Sequence, residues 1–421
     1  MIQRKISSEL KEHLDKKEIS LLVGPRQAGK TTIMLLLKEE LEKHGKKTIF
    51  LSLDIESDQP YFLSQQALLN KIQLELGRET GYVFIDEIQR KQNAGLFLKG
   101  LYDLNLPYKF IVSGSGSLEL KEKIHESLAG RKRIFDVNTI SFEEFVNFKT
   151  EYRYEDRIKD FLSIETDKVH NFLEEYLNFG GYPRVVLETS LQEKRKIMDE
   201  IYRSYLERDI AYLLKVEKLE AFSALIKILA GQSGQLVNLS ELSSTLGISL
   251  KTIQNYLWYA QKTFIIEKLT PYFRNPRKEI TKSPVIYFTD VGFRNYALGL
   301  WGHRPAFPRD GFLFQNFVFG LLKEKLRLTE KTIHFWRTKD KAEVDFVLDK
   351  GSECIPVEVK YSALKKPEAG RSLRNFIARY KPRQAWVVNL SLRDNLKING
   401  AQVTLFPFYD LVAPQENLFG L

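Results

Sequence analysis

The chain has one cysteine, Cys354, in 421 residues. No intrachain disulfide framework and no cysteine-based zinc site can be built from it, so a reducing cytoplasm is the expected compartment. Long hydrophobic runs are also missing. None approaches the ~18–20 apolar residues of a membrane span. The N-terminal stretch, MIQRKISSELKEHLDKK, is too charged for a signal peptide. There is no internal repeat and no low-complexity linker, so boundaries must be read from changes of pattern. Anionic charge is in deficit: 54 Asp and Glu face 64 Lys and Arg, a net of +10. Such a balance suits a polyanionic partner, nucleic acid first and a membrane surface second, or simply a solvated Lys-rich surface. The remainder is globular in composition, 43% hydrophobic and 28% charged. The length suits about two to four domains, each able to bury a core.

From about residue 19 to 146, the apolar runs ISLLVG, KTIFLSLD, GYVFIDE and YKFIVSGS alternate with helical patterns such as IMLLLKEELEK. Alternation of that kind predicts a parallel sheet covered on both faces. From about 150 to 235 strands vanish, and DRIKDFLSI, KVHNFLEEYLNF and LEAFSALIKILAGQ carry apolar residues at helical spacing. After about 284 the pattern is mixed. The expected class is α/β, with a phosphate-binding core over 1–149, a helical lid or linker over 150–235, a small helical unit with a β-hairpin over 236–283 and a C-terminal α/β domain over 284–421.

LLVGPRQAGKTT sets Gly24, Pro25, Arg26, Gln27, Ala28, Gly29, Lys30, Thr31 and Thr32 in the order G-x-x-x-x-G-K-[ST], between an apolar strand and an apolar helix. Glycines let backbone N–H groups curl around phosphate oxygens, and the helix N-terminus adds its dipole. Lys30 reaches the β- and γ-phosphates of ATP, and Thr31 offers a hydroxyl to Mg²⁺. GYVFIDEIQR delivers Asp86 and Glu87 at the C-terminal end of a buried strand, where ligands bind in open parallel sheets. Asp86 is the candidate for the Mg²⁺ water shell. Glu87 is the candidate that orients and polarises the attacking water. YKFIVSGSGS brings Ser113 to the end of another strand, as a γ-phosphate reader or a helix cap. Arg131, in LAGRKRIFD, is the candidate cation for the developing charge, in cis or from a neighbouring subunit; an ordinary surface arginine is its alternative.

GPRQAGKTT, YVFIDEIQR, FIVSGSGS, SLAGR and SFEEF, in this order, resemble the AAA-superfamily ATPases of archaea and bacteria that carry a C-terminal domain of unknown function. Those proteins are similar to STAND-type signalling ATPases. NFGGYPRVV (178–186) and YLERDI (205–210) resemble further signatures of that family. The resemblance spans nearly the whole chain and implies ATP binding and hydrolysis, without a cellular role.

NLSELSSTLGISLKTIQNYLWYAQKTFIIEKLTPYFRN reads as two capped helices around a Gly247 turn, then an extended pair, FIIEKL and PYFRN. Ser240 and Ser249 are the expected caps. This is the plan of a winged helix-turn-helix. Lys251, Thr252, Gln254 and Asn255 would face a major groove of double-stranded DNA, and Arg274, Arg277 and Lys278 would touch phosphates. A protein-interaction module is the alternative, with a protein partner or a homo-oligomer.

AEVDFVLD and CIPVEVKY read as a hairpin that brings Asp345 opposite Glu358 and puts Lys360 on the same face. Two carboxylates could hold a divalent metal beside an activating lysine. The set resembles the D-x(n)-E-x-K core of restriction-endonuclease-like nucleases. FQNFVFGLLKEKL would be the preceding helix; in such nucleases it often carries a glutamate where Gln315 stands here, so the site is short one charge. The basic stretch 365–386 is a further candidate for tracking a phosphate backbone. Three functions follow: an ATP-driven switch controlling DNA or protein binding, an ATP-regulated nuclease, and a non-hydrolysing ATP-binding scaffold. The intact Lys30, Asp86 and Glu87 favour the first over the third, and Gln315 favours it over the second.

Overall fold

The computed structural model describes residues 1–115, 128–206, 219–273, 283–302, 311–327, 329–351 and 353–413. The chain divides into two compact units, neither continuous in sequence. One comprises Met1–Ile140, Tyr182–Leu219 and Trp258–Ile265; the other comprises Ser141–Gly181, Glu220–Leu257 and Ile266–Leu421.

The first unit is built on β1 (Ile19–Gly24), β2 (Thr48–Ser52), β3 (Gly81–Asp86), β4 (Tyr108–Ser115) and β5 (Lys132–Asp136). They form one parallel sheet in the order β2-β3-β4-β1-β5. The period-two alternation of side chains explains the uninterrupted apolar runs. Ile19, Leu21 and Val23 join Val83, Ile85 and Val112 in one core. Leu22, Phe84, Ile111 and Phe135 point the other way into a second core, closed by Ile33, Met34 and Leu37 of the helix Lys30–Lys43. Both faces are therefore dry, and the C-terminal ends of the strands are left to carry polar groups.

The second unit holds two sheets. β6 (Ile266–Leu269) pairs antiparallel with β7 (Val285–Phe288). The larger sheet contains β8 (Thr332–Arg337), β9 (Glu343–Asp349), β10 (Cys354–Val359), β11 (Gln384–Asn389), β12 (Asp394–Ile398) and β13 (Ala401–Pro407), in the order β12-β13-β11-β10-β9-β8. β8, β9 and β10 make an antiparallel meander, and β11 lies parallel to β10. The helix Arg371–Tyr380 connects them and packs Leu373, Phe376 and Ile377 with Val344, Val347 and Val387 into one apolar layer. Phe319 of the helix Gly311–Leu326 lies against Phe346 of β9, ring centroids 6.0 Å apart.

Two expectations for the helical unit with its hairpin are corrected. Asn238, not Ser240, caps the helix Leu239–Leu246, accepting the N–H groups of Ser240 and Glu241 at 3.1 and 3.3 Å. Gly247 does close that helix with φ 62, and Ser249 accepts the Thr252 N–H at 3.1 Å at the start of the helix Leu250–Lys262. Ile266–Leu269 pairs with Val285–Phe288 and not with the run that begins at Pro271. Pro271 has no N–H to give a ladder, whereas VIYF buries all four of its residues. Lys251, Gln254 and Asn255 are exposed on the second helix, and Thr252 is partly so. Arg274, Arg277 and Lys278 lie outside the described residues, as does most of YLERDI.

Candidate nucleotide site

The strand order brings the C-terminal ends of β1, β3 and β4 side by side, with β4 pairing both of the others. Every group of the site is carried there. β1 ends at Gly24, where a Cβ would stand 2.0 Å from the Val137 carbonyl oxygen. That carbonyl is close because the Val137 N–H donates to Val23 at 2.7 Å. Only glycine fits. Gly24→Ala should lower stability by about 1–3 kcal/mol through the displaced backbone, read as a lower denaturant midpoint at unchanged slope. An unchanged midpoint would show that the strand end yields freely.

Pro25, Arg26, Gln27 and Ala28 then turn the chain through two left-handed positions, Gln27 at φ 56 and Gly29 at φ 93. The helix Lys30–Lys43 starts from Gly29, and its first N–H groups face the loop's concavity. The Lys30 ammonium is buried in the loop, donating to the carbonyls of Gly24 at 3.0 Å and Pro25 at 2.7 Å. Thr31 and Thr32 are exposed at the first helical turn. The Thr31 hydroxyl donates to Asp86 at 2.8 Å. Ser113 donates to the other Asp86 oxygen, and accepts the Glu87 N–H at 3.3 Å. A hydroxyl and a carboxylate converging beside the loop are hard oxygen donors, the set that Mg²⁺ with a polyphosphate takes. Thr31 and Asp86 are therefore the residues that would hold the ion.

Glu87 follows in the left-handed region, φ 56, where the strand ends and the chain turns into the short helix Ile88–Arg90. Burial pushes its pKa above the ordinary range, the neighbouring Asp86 charge adds to this, and Lys30 opposes it. Gln89 donates to its carboxylate. A raised carboxyl at the end of a strand is a competent proton acceptor once ionised.

Arg131 does not join this group. It precedes β5 at the other end of the sheet, where its carbonyl accepts the Ile19 N–H at 2.9 Å. The six residues of β1 separate that edge from Gly24, about 16 Å of strand. Its guanidinium pairs with Asp103 at 2.8 Å. The expectation of a cis role at the phosphates is corrected on that distance.

Two arginines that the sequence reading passed over stand at the loop instead. Arg4 donates to the Ala28 carbonyl at 2.9 Å and to that of Asn138 at 2.7 Å, tying the loop to the segment after β5. Arg184 donates to the Gln27 side chain at 3.1 Å and to Glu200 at 2.9 Å. It stands one residue after Pro183, the first residue of the helix Pro183–Leu187, and the Pro183 ring lies 3.8 Å from where a Gly29 Cβ would be. A proline opening a helix, followed by an exposed arginine, was the available signal. The 157 residues between Arg184 and Gln27 hid its destination.

In the second unit, Asp345 and Glu358 do meet. Val357 pairs with Phe346, and the next step of that register sets the two carboxylates opposite one another. Each is already engaged. Asp345 accepts from Gln315 at 3.0 Å and from the Val359 N–H at 2.6 Å. Glu358 accepts from the Gly370 N–H at 2.9 Å and pairs with Lys360 at 2.6 Å. Burial pushes the Asp345 carboxyl up to about 7; the Val359 N–H opposes this, while Glu358 and Glu343 add to it. Among the described residues no three His, Cys, Asp or Glu side chains group as a metal site. Asp345 and Glu358 are thus held by Gln315, Lys360 and backbone N–H groups, with no third carboxylate beside them.

Comparison with known proteins agrees with the first site. Residues 16–146 match a family model described as "AAA domain". Residues 170–304 and 310–410 match two models described only as domains of unknown function (DUF8612 and DUF4143). An uncharacterized protein of Mycobacterium tuberculosis is 27% identical over 89% of this chain and 76% of its own length. One from Haemophilus influenzae is 25% identical over 84% and 85%. Among solved structures, the Aeropyrum pernix ORC1 protein in complex with DNA is 13% identical, covers 71% of this chain and 92% of its own, and has a TM-score of 0.32. The replication initiator DnaA bound to AMPPCP and single-stranded DNA is 14% identical over 62% and 90%, with a TM-score of 0.31. The domain match and the loop together support an AAA-type P-loop ATPase that binds ATP. No helix among the described residues is long and apolar enough to cross a membrane.

Proposed function

We propose that the chain hydrolyses Mg²⁺-ATP as a molecular switch, its nucleotide state governing contact with DNA or a protein partner. One observation carries this: Lys30, Thr31, Asp86, Ser113 and Glu87, from two strands and a helix, converge at one end of one sheet. Ground-state contacts alone would need only Lys30 and the loop. A half-buried carboxylate with a raised pKa beside the metal candidate is what turnover needs in addition. Arg4 and Arg184, bonded to loop residues, are the groups whose partners would change when phosphates enter.

The finer assignments rest on element order. Two capped helices about a positive-φ glycine and an antiparallel strand pair support a winged helix-turn-helix. A helix, a three-stranded meander, a second helix and a parallel strand support a restriction-endonuclease-like fold without its metal chemistry. The test is phosphate release from ATP by the full chain, with Mg²⁺ and with EDTA. Mg²⁺-dependent release is expected. Tight ATP binding with no release would return the non-hydrolysing scaffold.

A further inference from the structure

We infer that the exposed face of the helix Arg371–Tyr380 and the chain flanking it form a binding surface for the phosphate backbone of double-stranded DNA. The inference deepens the proposed switch by naming its partner's chemistry, and it does not require that ATP be hydrolysed.

The surface begins with charge. Residues 363–384 contain seven Lys and Arg and one acidic residue, Glu368. That excess of six is more than half of the net +10 of the whole chain, gathered in a short stretch. Arg371, Arg374 and Ala378 follow one another at the three- and four-residue intervals of a single helix face, Lys381 stands just past the helix's C-terminal end, and all are exposed. At 1.5 Å per residue the helix from Arg371 to Tyr380 runs about 15 Å. Arg371, Lys365, Lys366 and Lys381 form no ion pair among the described residues, and Arg374 spends only its Nε on the Ala369 carbonyl, at 3.1 Å. Elsewhere cations and carboxylates of a helix face are interleaved in part. On Lys30–Lys43, for example, Lys38 is neutralised by Glu42 at 2.7 Å. Arg383 pairs with Glu353 at 2.9 Å; Arg371, Arg374, Lys381, Lys365 and Lys366 stand without an ion pair among the described residues, at a repulsive cost that a row of phosphates would reverse.

The opposite face of the helix decides among polyanions. Leu373, Phe376 and Ile377 are fully buried against the sheet. An amphipathic helix binds a membrane by its apolar face, and this one is already occupied, so an anionic bilayer lacks its anchor. Single strands are held by aromatic side chains on which bases stack. The aromatics of this stretch are turned inward: Phe376 and Trp386 are buried, and Tyr380 stacks on Phe376 with ring centroids 4.5 Å apart. What remains is a rigid, non-stacking cationic row, suited to a duplex backbone and carrying no base readout.

The test uses full-length protein and a fluorescein-labelled duplex of arbitrary sequence, followed by anisotropy from about 50 to 200 mM salt. Wild type should bind with a steep log–log salt slope. Arg371→Glu/Arg374→Glu/Lys381→Glu should lose at least tenfold in affinity, with the slope shallower by about three units, near 0.9 for each phosphate contact. The neutral Arg371→Gln/Arg374→Gln/Lys381→Gln should lose less in the same direction. ATP turnover and the thermal midpoint of both variants should match wild type, which excludes misfolding. A control, Lys43→Glu/Lys46→Glu/Lys159→Glu, makes the same change of net charge elsewhere on the surface and should bind as wild type does. Three results would overturn the inference: no duplex binding by wild type at about 50 mM salt, equal losses in patch and control variants, or a loss on Lys251→Glu with none on the patch variants. Failure of ATP turnover with duplex binding intact would sink the proposed switch and leave this surface standing.

Discussion

Lys30→Ala should abolish measurable ATP binding, and Glu87→Gln should keep the affinity within a few-fold while lowering kcat by about a hundred- to ten-thousand-fold. The two substitutions part because the groups act at different moments. Lys30 is buried where the loop closes, and its ammonium is the charge that bound phosphates would meet. Removing it takes away binding in ground and transition states alike. The Glu87 carboxylate accepts from Gln89 and feels the charges of both Asp86 and Lys30. The amide is nearly isosteric with the acid and holds the Gln89 contact, yet it cannot take a proton from water. Thr31, Asp86 and Lys30 remain, so nucleotide binding remains. Equilibrium binding of a fluorescent ATP analogue and single-turnover phosphate release give the two readings separately. A Glu87→Gln enzyme turning over at the wild-type rate would remove the role assigned to Glu87. Undiminished binding by Lys30→Ala would remove the site itself.

The first site is legible in the sequence because its residues are local to strands that announce themselves. Buried parallel strands leave unbroken apolar runs, and the polar residues that end those runs lie at one edge of the sheet by construction. Gly24 and Asp86 end the strands ISLLVG and GYVFID, and Ser113 ends the apolar run YKFIV two residues before its strand does, so three strands place most of the site. The same rule sends Arg131 elsewhere. It precedes the strand KRIFD rather than following it, and a residue before a parallel strand belongs to the far edge.

Arg4 and Arg184 were not legible because nothing local fixes where they go. Their partners lie in the loop, 24 and 157 residues away, and an exposed arginine is the commonest kind of surface residue. The pairing of β6 with β7 was missed for a related reason. A hairpin is read most readily from neighbouring runs, and PYFRN was nearer than VIYF. Burial decided otherwise, since β7 buries both of its faces. The discontinuity of the two units has no signature at all in a pattern read along the chain.

Gln315→Glu should destabilise the C-terminal sheet, and should do so more as pH rises. Gln315 donates its amide N–H to Asp345 at 3.0 Å, inside a site where that carboxyl is already pushed up to about 7. A glutamate there exchanges a donor for a second acceptor and sets two carboxyls within hydrogen-bond distance. Below about pH 6 the pair can share one proton, as carboxylate dyads do, and the loss should be small. Above about pH 8 both groups must ionise or the helix must move. The sign follows from the shift. A carboxyl whose folded pKa lies above its unfolded value favours folding while protonated, and that advantage is lost as pH rises from the ordinary carboxylate range to about 7. An unpaired buried charge costs about 3–5 kcal/mol, which corresponds to a fall of roughly 5–15 °C in the thermal midpoint of this unit. Mn²⁺ supplies the missing cation. The introduced side chain would give the ion a third carboxylate beside Asp345 and Glu358, so Mn²⁺ should restore much of the midpoint in the variant and leave wild type unmoved. Scanning calorimetry at pH 5.5 and 8, with and without Mn²⁺, reads all four outcomes. A variant as stable as wild type at pH 8 without metal would show that the Gln315 amide does not hold Asp345. A wild-type midpoint raised by Mn²⁺ would show that two carboxylates and an amide bind the ion after all, and would reopen the nuclease reading.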